Sequence, residues 1–255
     1  MDTYRRVADA VAQGQYAALA TVVHTEGSSP RDVGAKMVVY ADGRTKGTIG
    51  GGKMEALVTE AAVEAIGQGT SRMLHFDLRD LQAGDPGICG GAVDVFIDVT
   101  VPLPTLLIAG AGHVAMPVAE IGHMCGFRVT VVDDREEMVS ADRFPHASER
   151  VGGDIVEALR AFPITPSTYI VIVTRGHALD EDALRVVIDS NAAYVGMIGS
   201  RRKVRVIFDH LREDGIEETL IERVHSPIGL DIGSETPAEI AVSILAELIR
   251  TRRVG

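Results

Sequence analysis

The sequence predicts an α/β protein: a Rossmann-like parallel-sheet domain preceded by a smaller α+β domain. Three observations carry this. Gly110-Ala111-Gly112-His113-Val114-Ala115 follows the apolar run at residues 106–109 and opens an apolar-periodic stretch. Four apolar runs, at residues 106–109, 129–132, 169–173 and 193–198, each lead into a helical pattern, an alternation that builds a parallel sheet with helices on both faces. Val101-Pro102-Leu103-Pro104 is a stiff connector, because two prolines restrict the backbone and remove N–H donors. The expected domains are therefore residues 1–100 and 105–255.

Before the connector, the pattern predicts a helix over 3–13 and strands over 17–24 and 35–40. Asp42-Gly43 then makes a hairpin turn into a strand over 45–49. A helix over 53–66 and strands over 72–76 and 92–99 complete an antiparallel α+β domain. After the connector, Val114, Val118, Ile121 and Cys125 share one helical face, and Pro117 is expected to kink that helix. Thr236-Pro237-Ala238-Glu239 combines an N-cap, a first-position proline and a capping-box glutamate, with Ile240, Ile244 and Leu248 lining one face of the last helix.

With 46% apolar residues in a chain of 255, material for a core is ample. Asp and Glu outnumber Lys and Arg by 36 to 25, and the resulting charge of −11 opposes binding to nucleic acid and to anionic membranes. Small molecules and proteins are the expected partners. No 18-residue apolar stretch occurs and Met1-Asp2-Thr3-Tyr4-Arg5-Arg6 lacks a signal-peptide core, so a cytoplasmic location is expected. Cys89 and Cys125 are the two cysteines, and neither a disulfide framework nor a metal site is suggested.

The chemistry concentrates in glycine turns. In a dinucleotide-binding βαβ unit, Gly110 permits a sharp turn, Gly112 lets backbone N–H groups approach a pyrophosphate, and the helix start adds partial positive charge. Asp133, 21 residues beyond Gly112, is placed to accept from a ribose diol. With Asp134 beside it, it repels a 2′-phosphate, which Arg135 partly offsets, so NAD-like ligands are favoured over NADP-like ones. The competing reading is a tight α/β turn that binds nothing.

Thr174-Arg175-Gly176-His177 and Gly196-Met197-Ile198-Gly199-Ser200-Arg201-Arg202-Lys203 end two further strands on the same rim. Gly199 and Ser200 precede three cations at a helix start, suited to an anion, or simply a serine-capped solvated terminus. His113 and His177 are phosphate donors, catalytic bases or plain helix-start donors. In the N-terminal part Gly50, Gly51 and Gly52 lead into a helix, and Gly87-Ile88-Cys89-Gly90-Gly91 leads into a strand. Should these loops meet, they form a wall of amides suited to an anionic or pterin-like ligand, with Cys89 offering a thiolate for metal or sulfur chemistry or serving as an inert small hydrophobe.

Taken together, Thr25-Glu26-Gly27-Ser28-Ser29-Pro30-Arg31, Gly34-Ala35-Lys36-Met37, Ile49 to Gly52, Cys89-Gly90-Gly91, the Gly110, Val132, Thr174 and Gly196 segments and the stretch from His225 to Ile240 resemble the XdhC/CoxI family of molybdoenzyme accessory proteins over nearly the whole chain. The resemblance implies a chaperone that binds molybdenum cofactor, supports its sulfuration and delivers it to an apo hydroxylase of the xanthine-dehydrogenase type. It also implies a cysteine desulfurase as a further partner and a homodimer. The expected cofactor-binding residues are Gly50, Gly51, Gly52, Gly110, Gly112, His113, Val114, Asp133, Asp134, Gly176, His177, Gly199, Ser200 and Arg201, with Cys89 handling cofactor or sulfur. Binding and delivery, not turnover, is the expected role. The alternative is an NAD-dependent oxidoreductase in which His113 or His177 moves a proton.

Overall fold

Alternation of period two organises the first sheet. In the computed structural model, which describes residues 2–77 and 91–254, the chain divides into two compact units, Met1–Pro102 and Leu103–Gly255. In the first, α1 (Asp2–Ala12) precedes β1 (Ala17–Glu26), β2 (Lys36–Tyr40) and β3 (Thr45–Gly47); α2 (Gly52–Gln68), β4 (Arg72–Asp77) and β5 (Ala92–Thr100) follow. The strands form one antiparallel sheet in the order β3-β2-β1-β5-β4. Ala18, Ala20, Val22, Val93, Val95 and Ile97 point to the face covered by α2, whose Met54, Val58, Ala62 and Ala65 they bury. The alternate residues Ala17, Leu19 and Val38 meet Ala10 of α1 on the other face. The expected Asp42-Gly43 hairpin is present: Gly43 takes φ +80°, and Asp42 accepts from the Arg44 amide at 3.0 Å. The third strand is shorter than its apolar pattern, ending at Gly47 because the chain turns there with φ +88° and sends Ile49 into the core.

The second unit alternates strand and helix. Its elements are β6 (Thr105–Ala109), α3 (Ala115–Met124), β7 (Arg128–Asp133), β8 (Glu149–Gly152), α4 (Ile155–Ala161), β9 (Thr168–Ile172), α5 (His177–Val187), β10 (Tyr194–Met197), α6 (Arg201–Glu213), α7 (Glu218–Glu222), β11 (Val224–His225) and α8 (Pro237–Val254). All six strands are parallel, in the order β11-β10-β9-β6-β7-β8. This is the doubly wound order 3-2-1-4-5-6 read from β8, with its switch point between β6 and β9. Because both faces are covered, the central strands are continuous apolar runs. Leu106, Ile108, Val129 and Val131 face α3 and α8, while Leu107, Ala109, Ile170 and Ile172 face α4, α5 and α6. Each fully buried Leu or Ile adds about 1.5–3 kcal/mol of hydrophobic stabilisation.

Pro117 introduces no break: α3 begins at Ala115, so the proline lies in the first turn, where an amide has no intrahelical acceptor. The last helix carries the expected capping box, with Glu239 accepting from the Thr236 amide at 2.9 Å and Thr236 Oγ1 accepting from the Glu239 amide at 3.3 Å. Among the described residues no helix is long and apolar enough to cross a membrane.

One charge is built into the apolar stripe of α8. Glu247 is only 6% exposed, and accepts from Tyr194 Oη at 2.6 Å and the Gly229 amide at 2.8 Å. His225 Nδ1 lies 3.2 Å away and its ring stacks on Tyr194. Burial pushes the carboxyl up, but the Tyr194 and Gly229 donors and the adjacent His225 outweigh it and leave it below the ordinary value. Its stabilisation is therefore complete above the unfolded carboxyl value of about 4.3, and is lost as pH falls through the depressed folded value. Glu247→Ala should cost about 2–4 kcal/mol in chemical denaturation at neutral pH, and the deficit relative to the parent should shrink at acid pH; a neutral substitution would remove this brace from the account.

Candidate functional site

The carboxyl ends of β9, β6 and β7 bring three predicted loops side by side. Gly110 to Val114 leave β6, Asp133 and Asp134 end β7, and Thr174 to His177 leave β9. Gly110 is demanded by the fold: φ is +109°, and a Cβ would stand 2.5 Å from the Val173 carbonyl oxygen. Its amide donates to Val132 O at 2.7 Å, binding the turn to β7.

Gly112 and Gly176 differ. Neither has a left-handed φ, and a Cβ on either would meet no heavy atom within 4 Å. Nothing among the described residues requires glycine at these two positions, which leave open space beside the starts of α3 and α5. The amides of His113, Val114, His177 and Ala178 there have no partner among the described residues. His113 and His177 are both exposed. An oriented set of helix-start amides with room in front suits a phosphate.

Asp133 is the main departure from expectation. It is 2% exposed, and its carboxylate accepts from the Ala111 amide at 2.6 Å, from Arg135 Nε at 2.8 Å and Nη2 at 3.0 Å, and from the Arg135 amide at 3.0 Å. Burial raises its pKa, but the guanidinium and the two amides more than reverse this and hold the group below the usual carboxylate range. Both oxygens thus brace the glycine turn in place of a ribose diol, and Arg135 is spent on the same brace. Arg143 supports the turn from another loop, donating to Ala111 O at 2.9 Å and to Met138 O at 3.0 Å. Asp134 remains more open and pairs with Arg175 at 2.7 Å.

On the neighbouring rim, Ser200 caps α6, accepting from the Lys203 amide at 3.3 Å, and Arg201 and Arg202 are exposed. The third cation is not available to an anion: Lys203 turns inward to pair with Asp180, which is wholly buried, and also donates to Ile198 O at 3.2 Å. Asp180 further accepts from the Thr174 amide at 3.0 Å and hydroxyl at 2.7 Å, tying α5, α6 and the β9 loop together. Sequence reasoning missed Asp180, although it falls on the same face of α5 as Ala183, Leu184 and Val187, where a carboxylate needs an internal partner.

In the N-terminal unit the chain itself takes up the amides of Ile49, Gly50 and Gly51. Gly50, Gly51 and Gly52 all have positive φ, and a Cβ on Gly50 would stand 2.7 Å from Pro30 Cγ, so folding accounts for glycine here. Glu55 accepts from the amides of Ile49 and Gly51 at 3.1 and 3.0 Å and from Thr48 Oγ1 at 2.7 Å, and Thr48 Oγ1 takes the Gly50 amide at 3.1 Å. In the expected amide wall, the Gly51 and Ile49 amides are thus taken by a carboxylate of the chain itself and the Gly50 amide by a hydroxyl. Gly52 and Lys53 remain exposed at the start of α2. The 25–31 loop touches the other glycine segments, since Pro30 packs on Gly50 and a Cβ on Gly91 would meet Glu26 O at 2.1 Å. Cys89 lies outside the described residues. Cys125 is half-buried at the end of α3.

The sheet order and the switch-point crevice define the second unit as a Rossmann-type α/β protein. The model of the XdhC Rossmann domain matches residues 106–248, and that of the XdhC and CoxI family matches residues 10–77. The chain belongs to the XdhC/CoxI family. It is 38% identical to the uncharacterized protein YqeB of Escherichia coli (strain K12) over 92% of this chain but only 43% of YqeB, so it spans less than half of that relative. A Bacillus subtilis (strain 168) protein named as a probable xanthine dehydrogenase subunit is 25% identical over 99% of this chain and 98% of its own length. The molybdenum cofactor insertion chaperone PaoD of Escherichia coli (strain K12) is 22% identical over 97% and 87%, respectively. In fold, the chain is similar to a crystal structure of a xanthine dehydrogenase from Bacillus halodurans, with TM-score 0.54 and 23% identity, covering 98% of this chain and 95% of that one.

The two kinds of glycine separate experimentally. Gly110→Ala should destabilise the protein by about 1–3 kcal/mol through strain at positive φ and the Val173 contact. Gly112→Ala should leave the denaturation midpoint unchanged or slightly raised. Equal losses from both would show that Gly112 has a structural task.

Proposed function

We propose that this chain is a molybdoenzyme maturation factor that holds molybdenum cofactor as cargo, supports its sulfuration and delivers it to an apo hydroxylase of the xanthine-dehydrogenase type. The observation that carries the proposal is the pair Gly112 and Gly176: glycines for which no described residue supplies a cause, facing open space beside uncommitted amides at the switch point. A phosphate-bearing cargo supplies the missing reason, since only glycine lets its oxygens reach main-chain N–H groups closely. The names carried by the Bacillus subtilis relative and by PaoD support the choice of cargo and recipient.

In this account the amides at the starts of α3 and α5 hold the phosphate, and His113 and His177 donate from the rim. Gly199, Ser200 and Arg201 extend the positive edge. Cys89 is the thiol proposed for cofactor or sulfur handling, with a cysteine desulfurase as the sulfur source and a second copy of the chain as the assembly partner. The role read for such a site is grip and delivery, since main-chain amides orient an anion. The NAD-dependent oxidoreductase alternative is weakened by the geometry of Asp133, whose oxygens are already engaged in bracing the turn.

The test is the identity of small molecules released from the purified full chain on denaturation, read by mass spectrometry after expression in a host that makes molybdenum cofactor. A pterin is the expected species; a nicotinamide nucleotide would turn the assignment to the alternative. In retention assays with added molybdenum cofactor, Cys89→Ala should weaken binding, and unchanged retention would remove Cys89 from the mechanism.

A further inference from the structure

The outward side of α8 is apolar where a solvated helix would carry charge. Ala241, Ile244, Leu245 and Leu248 are buried in the core of the second unit, and Glu247, the one charged residue between Glu239 and Arg250, turns inward to Tyr194. At about 100° per residue, Ala238, Val242, Ala246 and Ile249 fall together on the opposite side. Ala238 is exposed, Val242 is 50% exposed, and Ala246 and Ile249 are half-buried. A stripe about three turns long thus meets solvent without a polar side chain, a pattern that marks a contact surface.

The two ends of this stripe carry opposite charge. Glu239 lies in the first turn of α8 and Arg253 in the last, and both are exposed. Beside the first turns runs the loop that holds Ile232, itself 53% exposed. That loop is tied to the helix by the Leu230 amide, which donates to Ser243 O at 3.2 Å, and by the Glu235 amide, which donates to Glu239 at 2.9 Å.

We propose that this face of α8 is where a second copy of the chain docks, the two helices crossing antiparallel at Ala246. The inference rests on the second copy already proposed as assembly partner and names its surface. A face acidic at one end, basic at the other and apolar between complements itself when reversed, which is the requirement of an isologous two-fold contact. Setting Val242 against Ile249 of the partner subunit places the axis beside Ala246, whose small side chain allows the helices to approach closely. The same register brings Glu239 within about one residue of Arg253 of the partner subunit, twice by symmetry, and opposes the helix dipoles. A parallel pairing would instead set like charges together at both ends.

The experiment is sedimentation velocity of the full chain over a concentration series, with Val242→Glu and Arg253→Glu checked for folding by circular dichroism. Expected is a dimer in the parent. Val242→Glu should weaken it roughly tenfold or more, because a carboxylate is buried in the contact, and Arg253→Glu about two- to fivefold. Ala246→Cys should form a disulfide-linked dimer on mild oxidation, well above the parent with its own two cysteines. Ala238→Cys should not, since its two copies stand about 22 Å apart along the pair. A parent dimer left unchanged by Val242→Glu, with no cross-link through Ala246→Cys, would overturn this face and leave a second copy as partner. A monomeric parent and no cross-link through Ala246→Cys would overturn both, with the face then free for a recipient protein.

Discussion

The buried carboxylate of Asp133 is the constraint on which the crevice depends. It draws the Ala111 amide to 2.6 Å and fixes Arg135 at the same time, so the turn leaving β6 is held to the end of β7 by charge-assisted hydrogen bonds in a dry setting. On the other side the turn is pressed against Val173 of the β9 strand end, where only glycine at position 110 fits. With its inner edge pinned on both sides, the outer edge can leave amides without partners and still keep one shape. Open donors on a rigid turn are what an anion-gripping surface requires, since a mobile loop would have to be ordered on binding.

The two units treat their glycine loops in opposite ways. At Gly50 and Gly51 the chain's own Glu55 and Thr48 satisfy the amides, and the loop is tied to the first turn of α2. Beside Gly112 and Gly176 no acceptor among the described residues takes the helix-start amides, and no left-handed conformation calls for glycine. Composition cannot separate these cases. The distinction lies in whether a carboxylate stands within reach of the N–H groups, and that depends on how a helix start is rotated.

Much of the architecture was legible in the sequence because it rests on local patterns. The continuous apolar runs of β6, β7, β9 and β10 announce strands buried on both faces, and Thr236 with Glu239 announces the start of α8. The edge strands of the parallel sheet were not legible: β8 offers only Val151 as an apolar residue and β11 has two residues, so their pairing comes from the sheet and not from their own pattern. At the candidate site, the positions of Asp133 and Gly112 were readable from spacing, whereas the partners of Asp133 were not, since they arise from the fold of the Ala111 backbone and the Arg135 side chain. Asp180 and Glu247 left a weaker trace, each a carboxylate on an otherwise apolar helical stripe. Lys203 looked like one of three free cations because its partner is 23 residues distant in sequence.

The central claim is that anion-binding amides are uncovered at the β6 and β9 strand ends and covered at the Gly50 loop. An amide-resolved ¹H–¹⁵N NMR titration of the full chain with inorganic pyrophosphate tests it most directly. The account predicts saturable shifts at His113, Val114, His177 and Ala178 with Ile49, Gly50 and Gly51 unmoved. Shifts confined to the Gly50 loop, or no saturable response at the two helix starts, would contradict it.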